Sequence, residues 1–158
     1  MKTIITAALL LAPSLAAAED LAAQVSREVN RSMTYRHEEQ DEWDASCPPA
    51  GDCEDFALCK ARKLLAAGMD PSRIAIMSLV DTWRDEGHAV LLVDGRVYDN
   101  RSPNDGRLLA KVKDYSPLYT CYMNGEVGVW VREGEIARRN NNAYPHCKYA
   151  VRELMKKD

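Results

Sequence analysis

The chain has 158 residues, 46% of them apolar and 28% charged, and 21 basic against 24 acidic side chains give a formal net charge of −3. That length suits one domain with a real core and is short for two, and a near-balanced charge without a basic stripe or aromatic ladder excludes a protein that tracks nucleic-acid phosphates. Five cysteines, an odd number, leave one thiol over in any oxidising compartment.

The chain opens on Lys2, an apolar stretch from Ile4 to Leu15, and Ala16-Ala17-Ala18 before the acidic pair Glu19-Asp20. These are the three parts of a secretory signal peptide, which predicts removal of residues 1–18 and an exported single domain over 19–158. The stretch is too short to span a bilayer, so no membrane attachment is expected after cleavage; the alternative is an uncleaved N-terminal anchor. Leu21, Val25, Val29 and Met33, at four-residue spacing, predict an amphipathic helix over 20–34 with Asp20 as its cap. From Arg36 to Gly51 the chain is polar, holds Trp43 and two prolines, and reads as a loop. A second helix is expected from near Asp52 to Ala67, with Ala57, Ala61, Leu64 and Leu65 on one face and Gly68 as the residue past its end.

Asp70-Pro71-Ser72 is a turn, and Ile74 to Val80 is a β-rich run. His88 to Val93 and Arg96 to Asp99 flank Asp94-Gly95, a favoured two-residue hairpin turn. With those two residues as the turn, 93 pairs with 96 and Asp99 lies opposite Val90. Asp99 is then the diagonal neighbour of His88 on one face, about 7–8 Å away between backbones, a gap that side chains close. A one-residue slip would remove Asp99 from that face. Ser102 to Gly106 reads as a loop, Leu118 to Met123 and Val127 to Arg132 as strands around Asn124-Gly125, and Arg138 to Asn142 as a polar stretch. The ten residues from Tyr149 fit either a short helix or a strand.

The chemistry begins at Cys53. A thiol at a helix N-terminus meets unpaired N–H groups and the positive end of the dipole, which favour thiolate and can hold an oxyanion. His88 would take its proton and Asp99 would orient the imidazole, a nucleophile–base–acid arrangement. His37 and His146 are rival bases, but each sits in a polar stretch with nothing to fix it. A zinc site from Cys47, Cys53 and Cys59 is a further alternative, with spacing unlike the usual paired-cysteine knuckle. With Cys53 as the free thiol, four cysteines remain for two bridges and three connectivities are open; Cys121–Cys147 and Cys47–Cys59 are favoured. Asp52, Glu54 and Asp55 crowd three carboxylates around the thiol. They fit helix capping, or a hard-cation site for calcium, which would relieve the upward push that three anions exert on the thiol pKa.

Gly51-Asp52-Cys53-Glu54-Asp55-Phe56-Ala57, the turn from Gly68 to Ile74, Gly87-His88-Ala89-Val90-Leu91 and Tyr98-Asp99-Asn100 together resemble the bacterial transglutaminase-like cysteine proteinases, whose C-terminal portion the stretch from Tyr115 to Trp130, with Pro117, Asn124 and Trp130, also resembles; the likeness covers about residues 26–132. The resemblance implies an α+β fold with a papain-like or transglutaminase-like core, in which the helix carrying the cysteine packs on an antiparallel sheet carrying the histidine and aspartate. It further implies peptide-bond hydrolysis by Cys53, His88 and Asp99, a periplasmic location, and calcium held by Asp52, Glu54 and Asp55. The implied partner is a protein or peptide substrate, a bacterial surface adhesin in the family's studied members, met by a monomer. Trp43 resembles a family tryptophan before the nucleophile, with cleft lining and core packing both open as its role. The stretch from Trp43 to Cys53 is shorter than the family pattern, and Cys47, Cys59, Cys121 and Cys147 depart from it. Two other readings use the same residues: a transglutaminase or deamidase acting on glutamine side chains, and a non-catalytic, disulfide-stabilised secreted binding module.

Overall fold

Four-residue apolar spacing does build the first helix, but that helix starts earlier than its sequence cap suggested. In the computed structural model, which describes residues 15–39, 43–101, 104–124, 127–129, 152 and 154–155, α1 runs Leu15–Ser32. Asp20 therefore lies inside the helix and does not cap it. Residues 15–18 of the expected leader form the helix's start. Val25, Val29 and Met33 are buried on its inner side. The expected loop from Arg36 to Gly51 is framed by a short parallel pair, β1 (Thr34–Tyr35) and β2 (Ala50–Gly51). This pairing of distant segments leaves no local pattern in sequence.

The second helix, α2, spans Cys53–Ala66 with Asp52 at its N-cap. It ends as its glycine dictates: Gly68 takes φ +84°, its N–H reaches Leu65 O and that of Met69 reaches Leu64 O, each at 3.0 Å. This paired closure satisfies the last carbonyls and needs a residue at ease with positive φ. The helix buries more than the single face expected. Phe56, Leu58, Cys59 and Lys60 are buried along with Ala57, Ala61 and Leu64, whereas Leu65 is only half-buried. Each fully buried leucine contributes about 1.5–3 kcal/mol relative to exposure.

The remaining strands form one antiparallel sheet: β3 (Ile74–Asp81), β4 (Glu86–Val93), β5 (Arg96–Tyr98), β6 (Arg107–Leu108), β7 (Tyr115–Tyr122) and β8 (Val127–Val129). Their spatial order is β6-β5-β4-β3-β7-β8. The β4–β5 turn has Asp94 and Gly95 both at positive φ, 49° and 76°, and the register follows: Leu91 faces Tyr98, Leu92 faces Val97 and Val93 faces Arg96. That is the expected two-residue hairpin. β6 follows the loop expected at 102–106, and β7 begins three residues before the expected strand.

The sheet separates two apolar clusters. Ile74, Ile76, Leu91, Val93 and Tyr98 join both helices on one side, with Trp43 packed among them. Ala75, Met77, Leu79, Val90, Leu92 and Val97 gather on the other with Val112 and Tyr115. The alternation of strand side chains produces this division. A disulfide joins Cys47 to Cys59, pinning the loop before the nucleophile to the second turn of α2. Cys121 is also disulfide-bonded; its favoured partner Cys147 lies outside the described residues, as do His146, the 138–142 stretch and most of the C-terminal segment. Among the described residues, no helix is long and apolar enough to cross a membrane.

Candidate active site

The hairpin register brings His88 and Asp99 together. His88 Nε2 and Asp99 Oδ1 lie 2.9 Å apart, and both side chains are fully buried. Because the carboxylate can only accept, Nε2 carries the hydrogen and Nδ1 keeps the basic lone pair. Nδ1 is buried and has no hydrogen-bond partner. Two further groups fix the acid: Tyr115 OH donates to Asp99 Oδ2 and the Arg101 main-chain N–H donates to Oδ1 at 3.0 Å; the Tyr115 ring also stands edge-on to the imidazole, 5.8 Å between ring centroids. Burial pushes the Asp99 carboxyl up, yet the His88 hydrogen bond, the charge that His88 carries when protonated, and the Tyr115 and Arg101 donors hold it below the ordinary carboxylate value.

Cys53 occupies the first position of α2 and is the free cysteine among the described residues. β5 pairs with Leu91–Val93 and stops at Tyr98, so β4 has no ladder partner on that side from Glu86 to Val90. Into this gap the head of α2 brings its sulfur, which takes a main-chain hydrogen bond from Ala89, the residue after His88. The body of α2 covers the sheet face bearing Leu91 and Val93, opposite the face that alternation gives to His88 and Asp99. The N-terminal end of the helix therefore meets β4 at the Ala89 main chain, and its body does not cover the face that bears His88.

The thiol itself donates to Glu54 Oε2 at 3.2 Å, and His88 Nδ1 takes no part in that bond. Burial first, then the Glu54 charge and hydrogen bond, and finally Asp52 raise the Cys53 thiol well above its ordinary value, outweighing the Ala89 donor. The structure thus holds a protonated, resting thiol.

The three acids around Cys53 have different places. Asp55 belongs to the helix cap: its Oδ2 accepts from Asp52 N–H at 3.2 Å and its Oδ1 from Asp44 N–H at 2.8 Å. Burial lifts it to about 6 against those donors. With each oxygen already accepting a main-chain N–H, Asp55 has fewer lone pairs left for the expected metal site. Asp52 and Glu54 fit it better, because one ligand atom from each lies within 4.8 Å of the other and of the sulfur, and Asp52 Oδ1 is buried without a hydrogen-bond partner. Paired hard oxygens with a buried, unsatisfied lone pair suit calcium. The alternative zinc site is ruled out, since Cys47 and Cys59 are bonded to each other. His37 is exposed, two residues past β1.

The roles of Tyr115, Arg101 and Lys60 at the site escaped the sequence reading. Arg101 Nη1 meets Asp81 Oδ2 at 3.2 Å and Glu86 Oε1 at 2.9 Å, and hydrogen-bonds Tyr35 on β1. It ties the strand ends around His88 to the segment that leads into Cys53. Tyr115 reaches Asp99 across 16 residues and gave no local signal. Lys60 had one: it falls seven residues after Cys53, two helical turns on, among residues that pack inward.

Comparison with known proteins adds the fold's relatives. A family model described as "Bacterial transglutaminase-like cysteine proteinase BTLCP" matches residues 9–104, more than half the chain and inclusive of Cys53, His88 and Asp99. No curated protein sequence matches significantly. Among solved structures, EGTA-treated Legionella pneumophila LapG superimposes with a TM-score of 0.68 at 16% identity, covering 86% of this chain and 78% of that one. Legionella pneumophila LapG without a stated treatment gives 0.65 at 17% identity, with 87% and 78% covered, and calcium-bound LapG from the same organism gives 0.65 at 18%, with 87% and 80% covered. At these identities the likeness is one of fold, an α+β arrangement of helices on an antiparallel sheet.

Proposed function

Because the chain belongs to the bacterial transglutaminase-like cysteine proteinases and is a cysteine peptidase, we propose that it hydrolyses peptide bonds of a protein substrate through Cys53, His88 and Asp99. The observation that supports this reading is the His88 ring: Nε2 is anchored on Asp99, and Nδ1 is buried with no hydrogen-bond partner, while the Cys53 sulfur meets the main chain of the next residue, Ala89. Nδ1 takes the Cys53 proton, and the sulfur attacks the peptide carbonyl carbon. The carbonyl oxygen becomes an oxyanion, to which the Cys53 main-chain N–H donates; one such donor contributes about 2.7–4 kcal/mol. As the tetrahedral species collapses, the C–N bond breaks and the leaving amine takes the proton from His88. Water, deprotonated by the same nitrogen, then cleaves the thioester and restores the thiol. Asp99 stabilises the imidazolium and holds its tautomer throughout.

In the resting arrangement the thiol proton is directed to Glu54. We assign Asp52 and Glu54 as calcium ligands; the bound cation would supply positive charge that offsets the two anions raising the thiol pKa. The Cys47–Cys59 disulfide supports export to an oxidising compartment, in line with a leader over residues 1–18, and we place the enzyme in the periplasm as a monomer. Its substrate is a protein, and a bacterial surface adhesin is the one that the sequence resemblance implies. The test is Cys53→Ala in the full chain, assayed on a labelled unfolded protein such as casein. Turnover is lost while the urea unfolding midpoint holds; retained proteolysis would remove the nucleophile assignment.

A further inference from the structure

Lys60 is fully buried in α2 and is unused by the mechanism above. Taking an ammonium out of water is costly unless anions and acceptors surround it, and a methionine of similar length would fill the space without that cost. Stability alone therefore does not call for a lysine here. Its surroundings are specific: Nζ donates to Tyr98 O at 3.3 Å, and the anions facing it are Asp105 and Asp99. Burial pulls the ammonium down to about 8 and the two carboxylates hold it up, so it is charged at neutral pH.

The contacts around Asp99 form a series. Lys60 holds the carbonyl just before it. Asp105 Oδ1 accepts from the Asp99 main-chain N–H at 3.2 Å and from Ser26 Oγ of α1 at 2.7 Å. Asn30, also on α1, donates from Nδ2 to Asp99 O at 2.7 Å. Tyr98, opposite Leu91, is the last residue of β5, so no strand partner fixes the main chain from Asp99 onward, and side chains from two helices hold it there.

We propose that Lys60 is a positioning residue of the active site: with Asp105 and Asn30 it clamps the main chain at Tyr98 and Asp99, and so fixes the orientation of His88 relative to the helix bearing Cys53. One helix then supplies both the nucleophile and, two turns later, the anchor of the acid. The proposal rests on the reading of Asp99 as the group that orients His88.

The experiment uses the full chain with calcium in every sample and compares wild type, Lys60→Met, Asp99→Ala and the double variant. The readout is the rate of Cys53 alkylation by iodoacetamide at one fixed pH, with near-UV circular dichroism reporting the folded state. A misplacement of about 1 Å can cost on the order of 10²-fold, so each single variant should slow alkylation about tenfold or more. The double variant should be no slower than Asp99→Ala. If Asp99→Ala slows the reaction and folded Lys60→Met does not, the clamp is overturned and the role of Asp99 stands. Two effects that multiply also overturn it, since Lys60 would then act by another route. No slowing in either variant overturns both. Should Lys60→Met fail to fold, Asn30→Ala decides: a comparable slowing supports the clamp, and an unchanged rate ends it.

Discussion

Replacing Tyr115 with phenylalanine removes one oxygen from the back of the site and little else. The ring is buried, packs edge-on to His88 and would keep that packing. What disappears is the hydroxyl that donates to Asp99 Oδ2 and is itself bonded by Asn104. Asp99 is 1% exposed, so water cannot replace the donor. A hydrogen bond to a charged group contributes about 1.5–3 kcal/mol. With m near 2 kcal/mol per molar urea, the midpoint should fall by about 1 M, and the melting temperature by about 4–8 °C. The pH dependence follows from Asp99, whose folded pKa lies below its ordinary value despite burial, because of His88, Tyr115 and Arg101. A group of that kind contributes stability that is present above its unfolded pKa, about 3.9, and is lost as pH falls through the folded value. The Tyr115→Phe substitution would raise the folded value toward the unfolded one. The deficit should therefore be full at neutral pH and shrink as the pH falls below the unfolded value and through the lower folded one. Urea titrations followed by tryptophan fluorescence at several pH values measure both. A midpoint equal to wild type at neutral pH, or a deficit that does not change with acid, would refute the reasoning.

Glu54→Gln removes the anion that, after burial, does most to raise the Cys53 thiol. Without calcium it should speed iodoacetamide alkylation at neutral pH, by up to about tenfold per unit of pKa recovered; EGTA should slow the wild type and leave the variant unchanged. Gly51→Ala should destabilise by about 1–3 kcal/mol in chemical unfolding, because a Cβ there would stand 2.8 Å from Asp55 Cβ and Cγ and displace the cap before the nucleophile. Loss of the Cys47–Cys59 bridge, by replacing both with alanine, opens a loop of 12 residues and should cost about 3 kcal/mol on the chain-entropy model. Calorimetry checks that value, and an unchanged melting temperature would show that the loop is held by other contacts.

What could be read in the sequence was what neighbours along the chain decide. Asp94-Gly95 fixes a two-residue turn, the turn fixes the register, and the register sets Asp99 beside His88. Asp52 before a helical run, with Gly68 after it, places Cys53 at a helix head. The Cys47–Cys59 bridge spans a short interval and was legible for the same reason. Contacts between distant segments were not. Tyr115 on Asp99, Lys60 on the Tyr98 carbonyl, the β1–β2 pair and the choice of sheet face for α2 each join segments whose patterns say only that a side chain is buried, not what buries it. Even the acids beside Cys53 were separable only in three dimensions: adjacent in sequence, Asp55 faces main-chain N–H groups while Glu54 takes the thiol. Local backbone preferences are properties of a few consecutive residues. The partner of a buried polar group is set by which elements the whole chain brings together, and only the tertiary structure contains that information.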